Sequence, residues 1–96
     1  MITDGITTIA EMRRVLDGCV YTYRLKVNES FKYSSVGIPL YSIEIHMLDC
    51  GSGKTSEART KEIFAEEDKA RRFFEKLVRG VATPIDLAYI VEDEFA

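Results

Sequence analysis

The sequence is poor in the residues that build metal centres and many catalytic sites. It has two cysteines, Cys19 and Cys50, and one histidine, His46. A structural zinc site takes four ligands, so these three side chains are too few to form one from cysteine and histidine alone. Two cysteines also fit the cytoplasm, where thiols stay reduced. We therefore expect no metal, no cofactor and no disulfide framework.

Long apolar runs are also missing. No stretch approaches the ~20 apolar residues that cross a bilayer. The first residues, MITDGITTIAEMRR, lack the basic start and apolar stretch of a signal peptide. The sequence therefore predicts a cytoplasmic protein without a membrane segment. Its 96 residues, free of internal repeats, predict a single domain over residues 1–96.

Positive charge is in deficit. The chain has 13 Lys and Arg against 16 Asp and Glu, a net charge of -3. A nucleic-acid-binding domain usually carries a basic face, so this balance argues against a nucleic-acid partner. Two basic pairs, at residues 13–14 and 71–72, would form a basic patch only if the fold brought them together.

The segment RRVLDGCVYTYRLKV is typical of a β-hairpin. Asp17 and Gly18 suit a two-residue type I′ turn between runs of alternating polarity. The turn fixes the register by counting, and the predicted facing pairs are Leu16 with Cys19, Met12 with Tyr23, Glu11 with Arg24 and Ala10 with Leu25. A short helix over residues 7–16 is the alternative, because Thr8 and Glu11 have capping-box spacing. The hairpin is the favoured interpretation.

A second hairpin is predicted around GSGK. Residues 28–39 mix Asn, Ser, Gly and Pro with two aromatics, which is typical of a loop. The stretch LYSIEIHML then alternates in polarity like a half-buried strand. If Cys50 pairs with Thr55 around a four-residue loop, the predicted facing pairs are Glu44 with Lys61, Ile45 with Thr60 and Met47 with Ala58.

The hydrophobic period changes near residue 65. In EEDKARRFFEKLVRG the apolar residues fall on one face of a helix: Ala70, Phe73, Phe74, Leu77 and Val78. Gly80 is predicted to take the left-handed position after that helix. A second helix is predicted from Thr83 as cap and Pro84 as first residue, with Asp86 near the positive helix end. Its acidic end, VEDEFA, is expected either to fray or to be held by a positive group.

These elements predict an α+β fold. We expect an antiparallel four-stranded sheet made of two hairpins, followed by two C-terminal helices packed on one face.

The letters DCGSGKT invite comparison with a nucleotide-binding P-loop. Gly53, Lys54 and Thr55 match its last three letters, but Leu48 stands where its first glycine belongs. A P-loop also opens a helix, whereas the residues that follow here alternate like a strand. We therefore predict a hairpin loop and no nucleotide at Gly51–Thr55.

No set of residues predicts catalysis. His46 and Cys50 fall on one face of the same predicted strand, but four residues along a strand span about 13 Å. A nucleophile and its base must lie roughly 3 Å apart. We predict that His46 is a surface residue without a chemical role and that there are no catalytic residues. Whether Cys50 is reactive stays open.

Candidate partner contacts come from the aromatics of the long loop region and from the acidic chain end. They are Phe31, Tyr33, Tyr41, Glu92, Asp93 and Glu94. Exposed aromatic side chains often contact a partner. The alternative for these aromatics is that they fold back over the open end of a small core.

The C-terminal stretch KARRFFEKLVRGVATPIDLAYIVEDEF, together with YTYRL and YSIEI upstream, resembles a family of small bacterial proteins. The family is typical of Gram-positive spore-formers and is known only as a domain of unknown function. The resemblance covers about residues 19–95, and its most specific residues are Thr83, Pro84, Leu87, Glu92, Asp93 and Phe95. It implies a cytoplasmic bacterial protein and carries over no active-site residues.

The sequence favours a non-enzymatic module that binds a protein partner or forms a homodimer. Binding would use either an edge strand or the acidic last helix. One alternative is a small-ligand sensor or small enzyme with a pocket near Tyr33, Tyr41 and His46. A second alternative is nucleic-acid binding, against which the net charge argues.

Overall fold

The described part of the chain has the strands and helices that its polarity pattern predicts. A computed structural model describes residues 6–28, 39–61 and 64–95. The elements are β1 (Ile6–Leu16), β2 (Cys19–Asn28), β3 (Leu40–Asp49), β4 (Thr55–Arg59), α1 (Glu67–Arg79) and α2 (Pro84–Phe95). The strands form one antiparallel sheet in the order β1-β2-β3-β4. The predicted α+β fold is confirmed.

The first hairpin has the predicted turn and register. Asp17 and Gly18 have φ angles of 52° and 77°, which are the left-handed values that a type I′ turn requires. All four predicted facing pairs are present. Residues 7–16 are strand, so the alternative helix is wrong. The register shifts between Thr8 and Ala10, where Ile9 is the extra residue of a β-bulge.

The second hairpin forms, but its predicted register is wrong by two residues. Glu44 faces Arg59 instead of Lys61, and the other facing pairs shift with it, Ile45 to Ala58 and Met47 to Ser56. The four-residue loop is displaced by one residue, to residues 50–53, and the Asp49 amide donates to the Lys54 carbonyl at 2.9 Å. The Asp49 carboxylate fixes this loop by accepting a hydrogen bond from the Gly51 amide at 2.9 Å. A shift of two residues keeps every side chain on its predicted face.

Both helices cover the same face of the sheet. α1 lies over β2 and β3, and α2 lies over β3 and β4. The central strands supply four side chains with no exposed surface to this core: Tyr23, Leu25, Ile43 and Ile45. The residues that alternate with them, including Glu44 and His46, lie on the opposite face, which we call the open face. No described helix covers the open face.

The end of α1 differs from the prediction. Gly80 has right-handed angles, φ -83° and ψ -1°, and Val81 takes the left-handed position with φ 49°. The Ala82 amide donates to the Leu77 carbonyl at 3.1 Å, and the Val81 amide donates to the Val78 carbonyl at 3.2 Å. These two bonds define a Schellman motif with a β-branched residue where glycine is usual.

The sign of the effect of Gly80→Ala tests this geometry. A Cβ at this position would lie 3.5 Å from the Lys76 carbonyl oxygen, an ordinary van der Waals contact. We expect Gly80→Ala to raise the free energy of unfolding by about 0.4–1 kcal/mol, because alanine restricts the unfolded chain without straining the folded one. Urea unfolding followed by circular dichroism measures the change. Gly18→Ala is the matched control and should destabilise, because Gly18 has a positive φ.

Thr83 caps the start of α2, as predicted, and Asp86 adds a reciprocal contact that the sequence analysis did not foresee. The Asp86 amide donates to the Thr83 hydroxyl at 3.2 Å, and the Thr83 amide lies 3.4 Å from an Asp86 carboxylate oxygen. Pro84 is the first helical residue, where a missing amide hydrogen costs no bond. Leu87 is buried, whereas Ile90 and Val91 pack against the core and stay partly exposed.

A buried hydrogen bond ties the connection between the helices to the sheet. The Tyr23 hydroxyl donates to the Ala82 carbonyl at 2.8 Å. Tyr23 lies on β2 and is fully buried. Its hydroxyl therefore positions the segment that joins α1 to α2.

Candidate functional site

Among the predicted partner-contact residues that the structure describes, Tyr41 and the acidic residues of α2 do not form one surface. Phe31 and Tyr33 lie outside the described residues. Tyr41 is only 7% exposed, and its hydroxyl lies 3.4 Å from a Glu67 carboxylate oxygen. Tyr41 is therefore part of the core, which is the alternative that the sequence left open for the loop aromatics.

The acidic residues at the end of α2 are exposed, as a partner contact would need. Glu92, Asp93 and Glu94 are all exposed to solvent. The Lys76 ammonium lies 3.4 Å from a Glu94 carboxylate oxygen, and both side chains are largely in solvent. A positive group of α1 thus lies beside the acidic end of α2. The sequence predicted either this contact or fraying of the helix end.

His46 and Tyr41 lie on opposite faces of the sheet. The two side chains therefore cannot line a single cavity. On the open face, His46 lies between two carboxylates: its Nε2 is 2.7 Å from Glu44 and its Nδ1 is 3.1 Å from Glu57. The sensor hypothesis placed Tyr33, Tyr41 and His46 around one pocket, and Tyr41 and His46 do not share one. Tyr33 lies outside the described residues.

A ladder of alternating charge crosses the open face. The register places Glu11, Arg24, Glu44 and Arg59 side by side across the four strands. Arg24 Nε lies 2.7 Å from Glu11, and Lys26 Nζ lies 2.7 Å from Glu44. Opposite charges in facing positions stabilise a sheet, so these groups largely satisfy one another.

The ladder also sets the ionisation of its carboxylates. Partial burial alone would raise the pKa of Glu44, but hydrogen bonds from Lys26 and His46 outweigh it and hold that pKa below its usual value. The hydrogen bond from Arg24 lowers the pKa of Glu11 in the same way. Both carboxylates are therefore held in the charged form, which suits ion pairing and not proton transfer near neutral pH.

A depression of about 910 Å³ lies on the open face, next to the ladder. Arg13, His46 and Glu57 supply its titratable groups. Within residues 6–28, 39–61 and 64–95, no group of three or more His, Cys, Asp and Glu side chains could hold a metal ion. Both cysteines are free thiols; Cys19 is partly buried and Cys50 is exposed.

The P-loop-like letters form the predicted hairpin loop. Strand β4, not a helix, begins at Thr55. The amides of Gly51 and Ser52 point at the Asp49 carboxylate, at 2.9 and 3.4 Å, and the Lys54 amide points at the Ser52 hydroxyl. Two of the loop amides thus already donate to a carboxylate of the chain itself. That no nucleotide binds here stays a prediction.

A groove of about 580 Å³ runs between β1 and α1, on the helix side of the sheet. It forms because β1 extends the sheet beyond the part that α1 covers. Its lining residues are Ala10, Met12, Arg14, Arg71, Phe74, Glu75, Val78 and Arg79. Three arginines against one glutamate make the groove basic, although the whole chain is acidic.

Arg14 connects the two walls of this groove. It faces Tyr21 across the first hairpin, so it lies on the helix side among apolar neighbours. Its guanidinium donates to the Val78 carbonyl at 2.9 Å, near the negative end of α1. One arginine of each sequence pair, Arg14 and Arg71, reaches the groove, whereas Arg13 lies on the open face.

Edge strand β1 is the other exposed feature of this region. It has 11 residues and, among the described strands, pairs only with β2. Large apolar side chains are exposed along it: Ile6 44%, Met12 50%, Val15 70% and Leu16 47%. The opposite edge, β4, has 5 residues. Sequence reasoning missed the groove, and the available signal was Arg14 in an otherwise apolar row of the predicted hairpin.

The family comparison covers nearly the whole of this architecture. Residues 6–96 match DUF6514, a family of unknown function. The chain belongs to this family. The match includes the strands, both helices and the groove between β1 and α1, so these features belong to the DUF6514 region. Searches of curated proteins and of solved structures found no match. Among the described helices, none has the length and apolar character to span a membrane.

Proposed function

We propose that this protein is a non-enzymatic interaction module that binds an extended protein segment along β1. The observation that carries the proposal is the length and exposure of β1 at the edge of the sheet. An edge strand offers a row of backbone donors and acceptors to which another strand can add.

The groove beside β1 supports this binding mode. Successive side chains of a strand point to opposite faces, so every second side chain of an added strand would point toward the helix side. There, Met12 offers exposed apolar surface beside the nearly buried Phe74, and Arg71 and Arg79 offer positive charge. Backbone bonds would supply affinity, and the groove would supply selectivity.

The acidic end of α2 is the other route that the sequence suggests. Its carboxylates are exposed, but Glu94 already lies beside Lys76. The depression of about 600 Å³ beside Glu94 is lined mainly by the charged side chains of Lys69, Arg72 and Lys76, and its two phenylalanines are nearly buried. β1, in contrast, carries exposed apolar side chains on both faces. The geometry therefore favours β1.

The cellular context is part of the proposal. The sequence resemblance supports a bacterial protein, and the two free thiols are compatible with a reducing cytoplasm. A reducing compartment suits a protein whose Cys50 is exposed.

Selection of displayed random peptides against the purified protein tests the binding mode. We expect the selected peptides to shift the backbone amide resonances of β1 and of the facing side of α1. Arg13→Pro should abolish peptide binding, because proline has no amide hydrogen to donate. Arg13→Ala is the matched control, since it removes the same side chain and keeps the donor.

Two results would contradict the proposal. One is a set of selected peptides that shifts the open face or the end of α2 and leaves β1 unchanged. The other is peptide binding that survives in a folded Arg13→Pro variant. Circular dichroism on both variants must first confirm that the fold is retained.

A further inference from the structure

We propose that the segment bound along β1 is β1 of a second copy, so that two chains form a continuous eight-stranded antiparallel sheet about a two-fold axis. This inference rests on the proposed function, since it uses the same edge strand. It adds the identity of the partner and the register in which the two strands meet. The carrying observation is that the charges of β1 complement those of its own two-fold copy.

The backbone of β1 is suited to such pairing. After the bulge at Ile9, β1 runs regularly from Ala10 to Leu16. In a two-residue hairpin the pair next to the turn, Leu16 with Cys19, exchanges both hydrogen bonds, and the pattern alternates from there. The amides and carbonyls of Glu11, Arg13 and Val15 therefore point away from β2, toward an added strand.

The side chains select one register. A two-fold axis perpendicular to the sheet and passing at Met12 places Glu11 of each chain opposite Arg13 of the other. Both residues lie on the open face, because they face Arg24 and Thr22 of β2. The axis thus generates two pairs of opposite charge in facing positions, each of which favours the pairing.

Neighbouring registers are disfavoured by the same side chains. Two residues that face each other must lie on the same face of the sheet. The two-fold axis can therefore pass at another residue of β1, but not between two residues. Centred on Arg13, it sets two arginines opposite each other; centred on Glu11, it sets two glutamates opposite each other. Like charges in facing positions destabilise strand pairing. Only the axis at Met12 satisfies both charges.

The apolar side chains of β1 gain burial in this register. Met12 is 50% exposed and would meet Met12 of the second copy at the axis, on the helix side. The groove between β1 and α1 opens onto the same edge, so the methionines would fill the space beside Phe74. Methionine is flexible and packs well at such contacts.

A charge-reversal pair tests the register. Each of Arg13→Glu and Glu11→Arg replaces the two attractive pairs between the chains by two repulsive ones. Glu11→Arg also removes the Glu11–Arg24 pair within each chain, so circular dichroism must show that this variant is folded. We expect the wild type to form dimers in sedimentation equilibrium. Each single variant should raise the dimer dissociation constant at least about tenfold. An equimolar mixture of the two variants should restore dimers as heterodimers, because both pairs are then attractive. The double variant Glu11→Arg with Arg13→Glu should restore the homodimer.

Arg59→Glu is the matched control, since Arg59 is exposed on β4 at the opposite edge and faces Glu44. It should leave the dissociation constant unchanged. The inference is overturned if the wild type stays monomeric up to about 1 mM, if Arg13→Glu remains as dimeric as the wild type, or if the mixture stays monomeric. A monomeric wild type whose β1 still binds displayed peptides defeats this inference alone. A chain that does neither defeats the proposed function too.

Discussion

Leu77→Ala is expected to lower the free energy of unfolding by about 2–5 kcal/mol. Leu77 is 2% exposed and points from α1 into the core formed with β2 and β3. Truncation removes its burial and leaves a cavity that the surrounding side chains fill only in part. Because domains of this size have only about 5–15 kcal/mol of stability, the variant should unfold at a much lower urea concentration. Circular dichroism suits the measurement, as the chain has no tryptophan.

Ile85→Ala is the matched control. It also truncates a branched aliphatic residue on a helix, but Ile85 is 78% exposed at the start of α2. We expect its effect on the free energy of unfolding to stay within about 0.5 kcal/mol. If both variants lost similar stability, or if Leu77→Ala cost less than about 1 kcal/mol, the packing of α1 on the sheet would differ from that described.

The sequence predicts those parts of the fold that depend on short-range chemistry. A single Asp-Gly pair specifies the turn of the first hairpin, and the turn then fixes all its facing pairs by counting. The cap of α2 is equally local, since Thr83 and Asp86 bind each other's amides. The helices are predictable for the same reason, because the apolar residues of one helix face recur every three or four positions within a short segment.

Sequence reasoning missed two features for which neighbouring residues allow more than one backbone conformation. They are the loop of the second hairpin and the end of α1. The second hairpin has two glycines in its loop and an aspartate at the end of β3, so several closures keep the same side chains buried. The Asp49 carboxylate decides between them by binding the Gly51 amide. At the end of α1, glycine at position 80 suggests the left-handed residue, yet the bonds to Leu77 and Val78 place Val81 there.

The candidate site was the least predictable feature because it joins residues far apart in the chain. Arg14 and Val78 meet only after β1 and α1 pack on the same side of β2. The register of the first hairpin already places Arg14 on the helix side. It does not predict that Arg14 contacts α1. The exposure of a side chain also depends on how distant elements pack. Tyr41 lies against Glu67 at the start of α1 and is buried, whereas Met12 lies on β1, which α1 covers only in part, and is half exposed.

Tyr23→Phe is expected to lower the free energy of unfolding by about 1–3 kcal/mol at neutral pH. The substitution keeps the ring and removes only the hydroxyl, which donates to the Ala82 carbonyl at 2.8 Å. That carbonyl lies in the connection between α1 and α2 and would lose a buried hydrogen-bond donor. Urea unfolding measures the loss. Tyr89→Phe is the matched control, because Tyr89 is 67% exposed and should give almost no change.

The difference in stability between the wild type and the Tyr23→Phe variant should become smaller in alkaline solution. Burial, reinforced by Tyr21, raises the pKa of Tyr23 to about 12, against about 10 in an unfolded chain. Below pH 10 the hydroxyl is protonated in both states, so its contribution to stability is fully present. Between pH 10 and 12 the unfolded state loses the proton first, and the contribution falls as the pH rises. The stability difference between wild type and Tyr23→Phe should therefore shrink across this interval. A difference that stayed constant up to pH 12 would mean that the hydroxyl of Tyr23 is not buried against Ala82.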